Sequence, residues 1–187
     1  MQEPEENASD SRGRIWKLLL HDNEPGIVLS KSRARQQFGH VRERFWNAMN
    51  YWLFKSEPST WSWEEQMAKG EIGEEWDGIR NYQARNFMRD MRIGDRGFFY
   101  HSQTEKAVVG VVEIAAEAHP DSTTDDERWE CVDVKAVKPV KKPVTLKMIK
   151  SEPRLSEMVL VKNSRLSIQP VTEEEWTVVC EMAGISV

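Results

Sequence analysis

Residues 76–86, with the sequence WDGIRNYQARN, combine aromatic rings, guanidinium groups and carboxamides in one short segment. A plain surface loop would be rich in small turn formers, and a plain surface helix would carry an apolar stripe. The mixture is more typical of a recognition surface. Asp77-Gly78 predicts a turn, because glycine accepts a positive φ, and such a turn would present Trp76 at the rim of a cavity. Burial of Trp76 for packing, with the arginines in solvent, explains the same residues equally well.

The elements around this segment would position its basic groups. A helix that begins near Asn81 places three arginines on one face and apolar residues on the other. The arginines are Arg85, Arg89 and Arg92, and the apolar residues are Phe87, Met88 and Met91. Gly94 is predicted to end the helix at its C′ position, and residues 97–102 are predicted to form an aromatic strand. The aromatic rim, the basic helix and the strand would then form three walls of one site.

The composition favours one domain with an appendage. The 187 residues are 39% hydrophobic and include eight tryptophans, which is enough for a single core. No apolar run approaches the ~20 residues that span a bilayer, and the acidic residues 1–6 do not resemble a secretory signal. We therefore expect a soluble protein without membrane contact, located in the cytoplasm, or in the nucleus if the source is a eukaryote. Cys131 and Cys180 lack the paired spacing of zinc ligands, so neither a metal nor another cofactor is expected.

The net charge of −5 is unevenly distributed along the chain. Residues 80–106 contain six basic and three acidic residues, and residues 135–165 contain nine and two. Residues 117–133 instead carry seven acidic residues against one arginine. Such segregation allows an acidic protein to present one positive face to a polyanion. Ordinary variation of a solvated surface is the alternative explanation.

Two regions of the chain differ in pattern. Residues 1–48 contain at most one short amphipathic helix, with Phe38, Val41 and Phe45 on one face, and we expect them to form a largely disordered extension. Met49 directly precedes a strand-like run and would be a natural start for the domain at residues 49–187. In that domain several β runs alternate irregularly with short helices, which indicates an α+β fold with a closed or nearly closed sheet.

Local signals place several further elements. Two segments fit the spacing of helix capping boxes, with Ser62 and Glu65 in the first and Thr172 and Glu175 in the second. Residues 107–114 and 129–137 have the pattern of strands, and a helix is predicted at about residues 145–150. Short strands or turns are predicted for residues 155–161 and 166–168.

The longest motifs resemble the EVE domain family, which is part of the PUA-like superfamily. The matching segments are Tyr51-Trp52-Leu53, Lys55-Ser56-Glu57-Pro58, residues 76–86, Gly94-Asp95, Phe99-Tyr100-His101-Ser102, Val109-Gly110, Pro120-Asp121 and residues 163–170. This resemblance covers about residues 50–182. It implies a PUA-like β-barrel flanked by short helices, with a pocket for a modified nucleobase such as 5-methylcytosine that has been flipped out of DNA. Recognition of a modified base in RNA is the alternative, because PUA-like relatives include RNA-binding modules.

The residue types agree with such a pocket. Extruding a base costs a few kcal/mol of stacking, which aromatic walls and polar contacts to the base edge offset. We assign the base pocket to Lys55, Ser56, Trp76, Asn81, Phe99, Tyr100 and Ser102. We assign contacts with nucleic-acid phosphates to Arg80, Arg85 and Arg165. The expected partner is nucleic acid that carries a modified base, bound by a monomer.

Catalysis is less well supported by the sequence. His101-Ser102 beside Glu57 or Asp95 resembles part of a hydrolase site, but the chain lacks a Gly-x-Ser-x-Gly elbow, a metal-ligand motif and a phosphate-binding glycine loop. Neighbouring residues of one strand also point to opposite faces of the sheet. We therefore predict a non-catalytic reader. A protein-interaction module that uses the acidic segment at residues 117–130 is a further alternative.

Overall fold

The computed structural model describes residues 49–186, which include a six-stranded sheet. Its strands are β1 (Tyr51–Ser56), β2 (Glu74–Glu75), β3 (Arg96–His101), β4 (Ala107–Pro120), β5 (Glu130–Thr145) and β6 (Ile168–Val171). They are arranged in the order β2-β5-β4-β3-β1-β6, and β1 runs parallel to β3. The predicted extension and its short helix lie outside the described residues, and the domain boundary at Met49 stays a prediction.

Short helices flank this sheet in the described part of the chain. They are α1 (Trp63–Ala68), α2 (Tyr82–Asp90), α3 (Leu146–Ser151), α4 (Val159–Lys162) and α5 (Glu173–Ala183), with a 3₁₀ turn at Pro153–Leu155. Both predicted capping boxes are present. Ser62 and Glu65 begin α1, and Thr172 and Glu175 begin α5. The longest of these helices, α5, has 11 residues and would rise only about 16 Å, so no described helix is long and apolar enough to cross a bilayer.

The two faces of the sheet bury different cores. Along β3, Phe98 and Tyr100 point to the face covered by α5, where the ring of Trp176 stacks on Phe98 at 4.1 Å. Phe99, between them, points to the other face and packs with Phe54 and with the residues of α1 and α2. The alternation follows from the two-residue period of a strand. Neighbouring aromatic residues of β3 therefore belong to separate cores.

The sheet rolls back on itself. β2 and β1 are first and fifth in the strand order, yet the ring of Trp76, directly after β2, lies 5.1 Å from Phe54 of β1 and 5.5 Å from Phe99 of β3. Register shifts in the β4–β5 pair, such as the one between Ile114 and Ala116, supply the bends that such curvature needs. The α+β prediction of a barrel-like sheet with short flanking helices is confirmed.

Several sequence-based boundaries need correction. Helix α2 ends at Asp90, before the predicted stop at Gly94, because the carboxylate of Asp95 draws the following turn towards β1. That carboxylate accepts hydrogen bonds from the backbone N–H of Arg92 at 3.0 Å and from Trp52 Nε1 at 3.1 Å. Arg92 therefore lies outside the helix. Strands β4 and β5 are longer than predicted, and residues 155–161 contain helical turns instead of strands.

Candidate nucleic-acid interface

An open cavity of about 450 Å³ lies between the end of β1, the loop that follows it and β2. Its volume falls in the range of small-molecule sites. It is lined by Lys55, Ser56, Glu57, Thr60, Trp61, Glu74, Glu75, Trp76, Asp77 and Ile79. Three of the seven residues predicted for the base pocket, Lys55, Ser56 and Trp76, are thus brought together here.

The polar groups from β1 are fixed by backbone contacts. The Lys55 ammonium donates a hydrogen bond to the carbonyl of Ser164 and lies 5.9 Å from the centre of the Tyr100 ring. Partial burial lowers the pKa of Lys55. Ser56 Oγ donates to the carbonyl of Trp61 at 2.8 Å. Lys55 therefore connects the cavity to the turn that carries Arg165.

The opposite side of the cavity is acidic. Three of its lining residues, in β2 and directly after it, are carboxylates: Glu74, Glu75 and Asp77; a fourth, Glu57, follows the end of β1. Asp77 lies at the mouth, where partial desolvation and the negative charges of Asp121, Glu75 and Glu74 raise its pKa. A raised pKa means that the ionised carboxylate is destabilised at this position, so a proton or a hydrogen-bond donor stabilises the carboxylate more than usual. This side of the cavity is therefore suited to a ligand that donates hydrogen bonds.

The positive φ predicted for Gly78 is confirmed at 69°, but residues 76–81 form an irregular segment without a turn. The N–H of Gly78 donates to Asp121 Oδ2 at 3.0 Å, and Arg80 donates to the same oxygen at 2.7 Å. Burial alone would raise the pKa of Asp121, but hydrogen bonds from Thr123, Arg80 and Gly78 lower it to about 2. The charge of Arg80, a residue assigned to phosphate binding from the sequence, is thus compensated within the protein, and Arg80 anchors the segment around Gly78 to Asp121.

Trp76 both lines the cavity and packs in the core, so it has features of the two roles that the sequence allows for it. It lines the cavity, but only 6% of its surface is exposed, and its ring packs edge-on against Phe54 and Phe99. Trp61 is half-buried on the facing side, and its Nε1 donates to Gln66 Oε1 at 2.9 Å. A flat ligand in the cavity would therefore meet one buried and one accessible tryptophan.

Four residues assigned to the pocket do not line it. Phe99 and Tyr100 are 0% and 2% exposed, because β3 directs them into the two cores, so neither ring lines this cavity. Asn81 caps α2 by accepting a hydrogen bond from the N–H of Ala84 at 3.0 Å. Ser102 Oγ donates to the carbonyl of Ser56 at 3.1 Å. Both polar side chains therefore satisfy backbone groups instead of facing the cavity.

Sequence reasoning missed much of the cavity. The missed residues are Glu57, Thr60, Trp61, Glu74, Glu75, Asp77 and Ile79. One available signal was Trp61, a large aromatic in the turn between Pro58 and the capping box at Ser62, where packing has little need of it. No local signal brings β2 to the end of β1, because the two are distant in the strand order and meet only when the sheet rolls up.

A second surface, beside Gly78, combines aromatic and basic side chains. Tyr82 and Trp129 stack with their ring centres 5.0 Å apart, and Tyr82 is 51% exposed. The guanidinium of Arg85 lies 4.9 Å from the Tyr82 ring, and that of Arg80 lies 5.6 Å from the Trp129 ring. We call these four residues the Tyr82–Trp129 surface. An exposed tyrosine stacked on a half-buried tryptophan, with arginines against both rings, is suited to stacking on bases and to contacting phosphates.

Arg85 and Arg165 retain charge for an external anion. Arg85 donates hydrogen bonds to the backbone carbonyl of Arg128 at 2.8 Å and to the side-chain oxygen of its neighbour Asn86. Both acceptor atoms are uncharged. Arg165 is exposed in the turn after Ser164, whose carbonyl binds Lys55. Residues 49–186 provide no carboxylate that forms an ion pair with either guanidinium.

The His101-Ser102 pair does not form a hydrolase dyad. His101 is buried, its Nε2 accepts a hydrogen bond from the N–H of Trp63 at 3.1 Å, and its Nδ1 lies 2.7 Å from Glu105 Oε2. Both ring nitrogens are therefore occupied. Ser102 donates to a backbone carbonyl on another side, as the alternation of the strand predicts.

Comparison with known proteins identifies the class to which this fold and cavity belong. Residues 50–182 match the family model of the EVE domain, and the chain belongs to that family. It is similar to human thymocyte nuclear protein 1, with 36% identity over 168 residues that cover 73% of this chain and 75% of that protein.

Solved structures give the same assignment. A crystal structure of human THYN1 in complex with 5-methylcytosine-containing DNA superposes with a TM-score of 0.68 at 35% identity, covering 74% of this chain and 99% of that one. A crystal structure of a protein from Agrobacterium tumefaciens has a TM-score of 0.72 at 60% identity, with coverage of 73% and 94%. The PUA-like fold that the resemblance implied is confirmed.

Proposed function

We propose that this protein is a non-catalytic reader that binds a modified cytosine, flipped out of DNA, in the cavity between β1 and β2. The observation that carries the proposal is the position of this cavity, with its tryptophans and carboxylates, next to the surface formed by Arg80, Arg85 and the rings of Tyr82 and Trp129. The complex of human THYN1 with 5-methylcytosine-containing DNA supports the same choice of ligand.

The cavity chemistry matches the edge of cytosine. The exocyclic N4 amino group of cytosine donates hydrogen bonds, and carboxylates accept them in protein–DNA complexes. Asp77, with its raised pKa, and the neighbouring glutamates favour such a donor. Lys55, on the opposite wall, has N–H donors beyond the one that binds Ser164, and these would bind the acceptor atoms of the base. Trp61 and Trp76 would stack on its faces, and the side chain of Ile79 supplies apolar surface for a methyl group.

The surrounding charges would hold the nucleic-acid backbone. Arg165 lies next to the Lys55 side of the cavity, and Arg85 lies on the Tyr82–Trp129 surface beside Gly78. A duplex that delivers a base between them would run past basic groups on both sides. Phosphate contacts of this kind position the protein without reading sequence, whereas the cavity would read the base.

Titration of labelled oligonucleotides at a stated salt concentration tests the proposal. Matched duplexes with cytosine or 5-methylcytosine should differ in affinity by at least about fourfold, because burial of one methyl group is worth about 0.8 kcal/mol. Single-stranded RNA with and without the same methyl group is the comparison for the RNA alternative. Equal affinity for the methylated and unmethylated duplexes would contradict the proposal, and tighter binding of the methylated RNA would select the alternative.

Replacement of Arg85 or Arg165 by glutamine should weaken binding of methylated and unmethylated DNA about equally. Each lost phosphate contact should also lower the slope of log K against log salt by about one unit. Arg154→Gln is a matched control, because Arg154 is paired with Glu152 and Glu181 away from the cavity. A loss confined to methylated DNA would instead mean that the substituted arginine contacts the base.

A further inference from the structure

The cavity between β1 and β2 carries more negative than positive charge. Its lining contains one ammonium group, that of Lys55, and four carboxylates, which are Glu57, Glu74, Glu75 and Asp77. The Lys55 ammonium is directed to the Ser164 carbonyl and to the Tyr100 ring at one end of the cavity. A cleft lined mainly by one sign of charge concentrates ligands of the opposite sign. Recognition of a neutral base leaves this charge largely unused.

The four carboxylates differ in how far the protein itself satisfies them. Glu57 and Glu75 each accept a hydrogen bond from a neutral side chain, and Glu74 forms an ion pair with Lys69. No donor among residues 49–186 forms a hydrogen bond or ion pair with the carboxylate of Asp77, which lies among the other negative charges. Asp77 is therefore the carboxylate of this wall with the most to gain from a cationic ligand.

A cation of the protein itself already lies against this wall. The ammonium group of Lys69, at the end of α1, pairs with Glu74 and lies 5.5 Å from the centre of the Trp61 ring. The negative face of an aromatic ring attracts a cation, most strongly when the ring is tryptophan. One tryptophan and one carboxylate from the lining thus hold a positive group together. A cationic ligand inside the cavity would meet the same two kinds of group, with Asp77 as its carboxylate.

We propose that the cavity binds cationic, ring-N-methylated bases more tightly than neutral ones, and that 3-methylcytosine is the cytosine derivative of this class that it takes. The inference rests on the proposed function, because the base occupies the same cavity in the same orientation. At neutral pH the positive charge of 3-methylcytosine is shared between N3 and the exocyclic N4 group. This is the edge that the proposed orientation directs towards Glu74, Glu75 and Asp77.

Methylation at N3 also lowers the cost of extruding the base. The methyl group blocks the central Watson–Crick hydrogen bond, and extrusion costs least for a damaged or mismatched base. This advantage does not depend on charge, so it must be separated from recognition in the cavity. 3-Methylthymine provides the separation, because its N3 methyl group also blocks pairing while the base stays neutral.

Titration of the full chain with duplexes that differ in one central base tests the inference. The four bases, each placed opposite guanine, are cytosine, 5-methylcytosine, 3-methylcytosine and 3-methylthymine. 3-Methylcytosine should bind at least about fivefold more tightly than either of the other methylated bases, since opposite charges about 4 Å apart supply that factor even in water. Equal affinity for 3-methylcytosine and 3-methylthymine, or weaker binding of 3-methylcytosine than of its isomer 5-methylcytosine, would overturn the inference. A preference for 5-methylcytosine over cytosine in the same series would then still support the proposed function.

Two variants with opposite expected effects assign the preference to the cavity. Asp77→Asn keeps the size of an exposed side chain and removes its charge, so the ratio of affinities for 3-methylcytosine and 5-methylcytosine should fall severalfold. Lys69→Gln removes the internal cation from Trp61 and Glu74, so the same ratio should rise. Glu174→Gln, in α5 on the other face of the sheet, is the matched control and should leave the ratio unchanged. A ratio that is unaltered in Asp77→Asn, or that falls in Lys69→Gln, would contradict the role of the carboxylates.

Discussion

Trp76→Ala should lower the free energy of unfolding by about 3–5 kcal/mol, the cost of a large cavity in a core. Only 6% of Trp76 is exposed, and its ring contacts both Phe54 and Phe99, so alanine leaves a space that the barrel cannot readily fill. Such a loss is a large fraction of the 5–15 kcal/mol that is typical of a folded protein. Urea denaturation followed by tryptophan fluorescence and circular dichroism measures it.

The structure changes what this variant can reveal. From the sequence, Trp76→Ala is expected to lose base affinity and keep its fold, whereas the buried ring predicts a large loss of stability as well. Trp76→Phe is the control, because it keeps an aromatic ring between Phe54 and Phe99 and should lose much less stability. An unchanged urea midpoint for Trp76→Ala would mean that the ring does not contribute to the core as its burial indicates.

Trp61→Ala should reduce affinity for methylated DNA by about 10- to 100-fold, because stacking of a base on an aromatic ring is worth roughly 1–3 kcal/mol. The half-buried ring lines the cavity opposite the acidic wall, so its removal opens the cavity with little disturbance of the core. The stability loss should therefore be much smaller than for Trp76→Ala. Titration with the methylated duplex, beside a thermal melt of each variant, separates the two effects.

Substitution by other apolar residues identifies what Trp61 contributes. Trp61→Phe removes the hydrogen bond from Nε1 to Gln66 but keeps a flat ring, so affinity should remain near that of the wild type. Trp61→Leu keeps apolar volume without a ring and should resemble Trp61→Ala. Wild-type affinity for Trp61→Ala would exclude stacking at this position and would move the base site away from the cavity.

Local sequence signals predicted the parts of the fold that depend on neighbouring residues. The capping boxes at Ser62 and Thr172 satisfy the first backbone N–H groups of their helices, and Gly78 has the positive φ expected of it; each needs only a few adjacent residues. The family motifs indicated the barrel. They also placed Lys55, Ser56 and Trp76, which line the cavity, among the candidate residues.

The sequence alone determined that successive strand residues alternate between the two faces of the sheet, but only the tertiary structure decided which residues line the cavity. Phe99 and Tyr100 enter separate cores because β3 is covered on both faces. The cavity joins residues 55–61 to residues 74–79 because curvature of the sheet brings together strands that are distant in its order. Such contacts depend on long-range register and curvature, which no local pattern encodes.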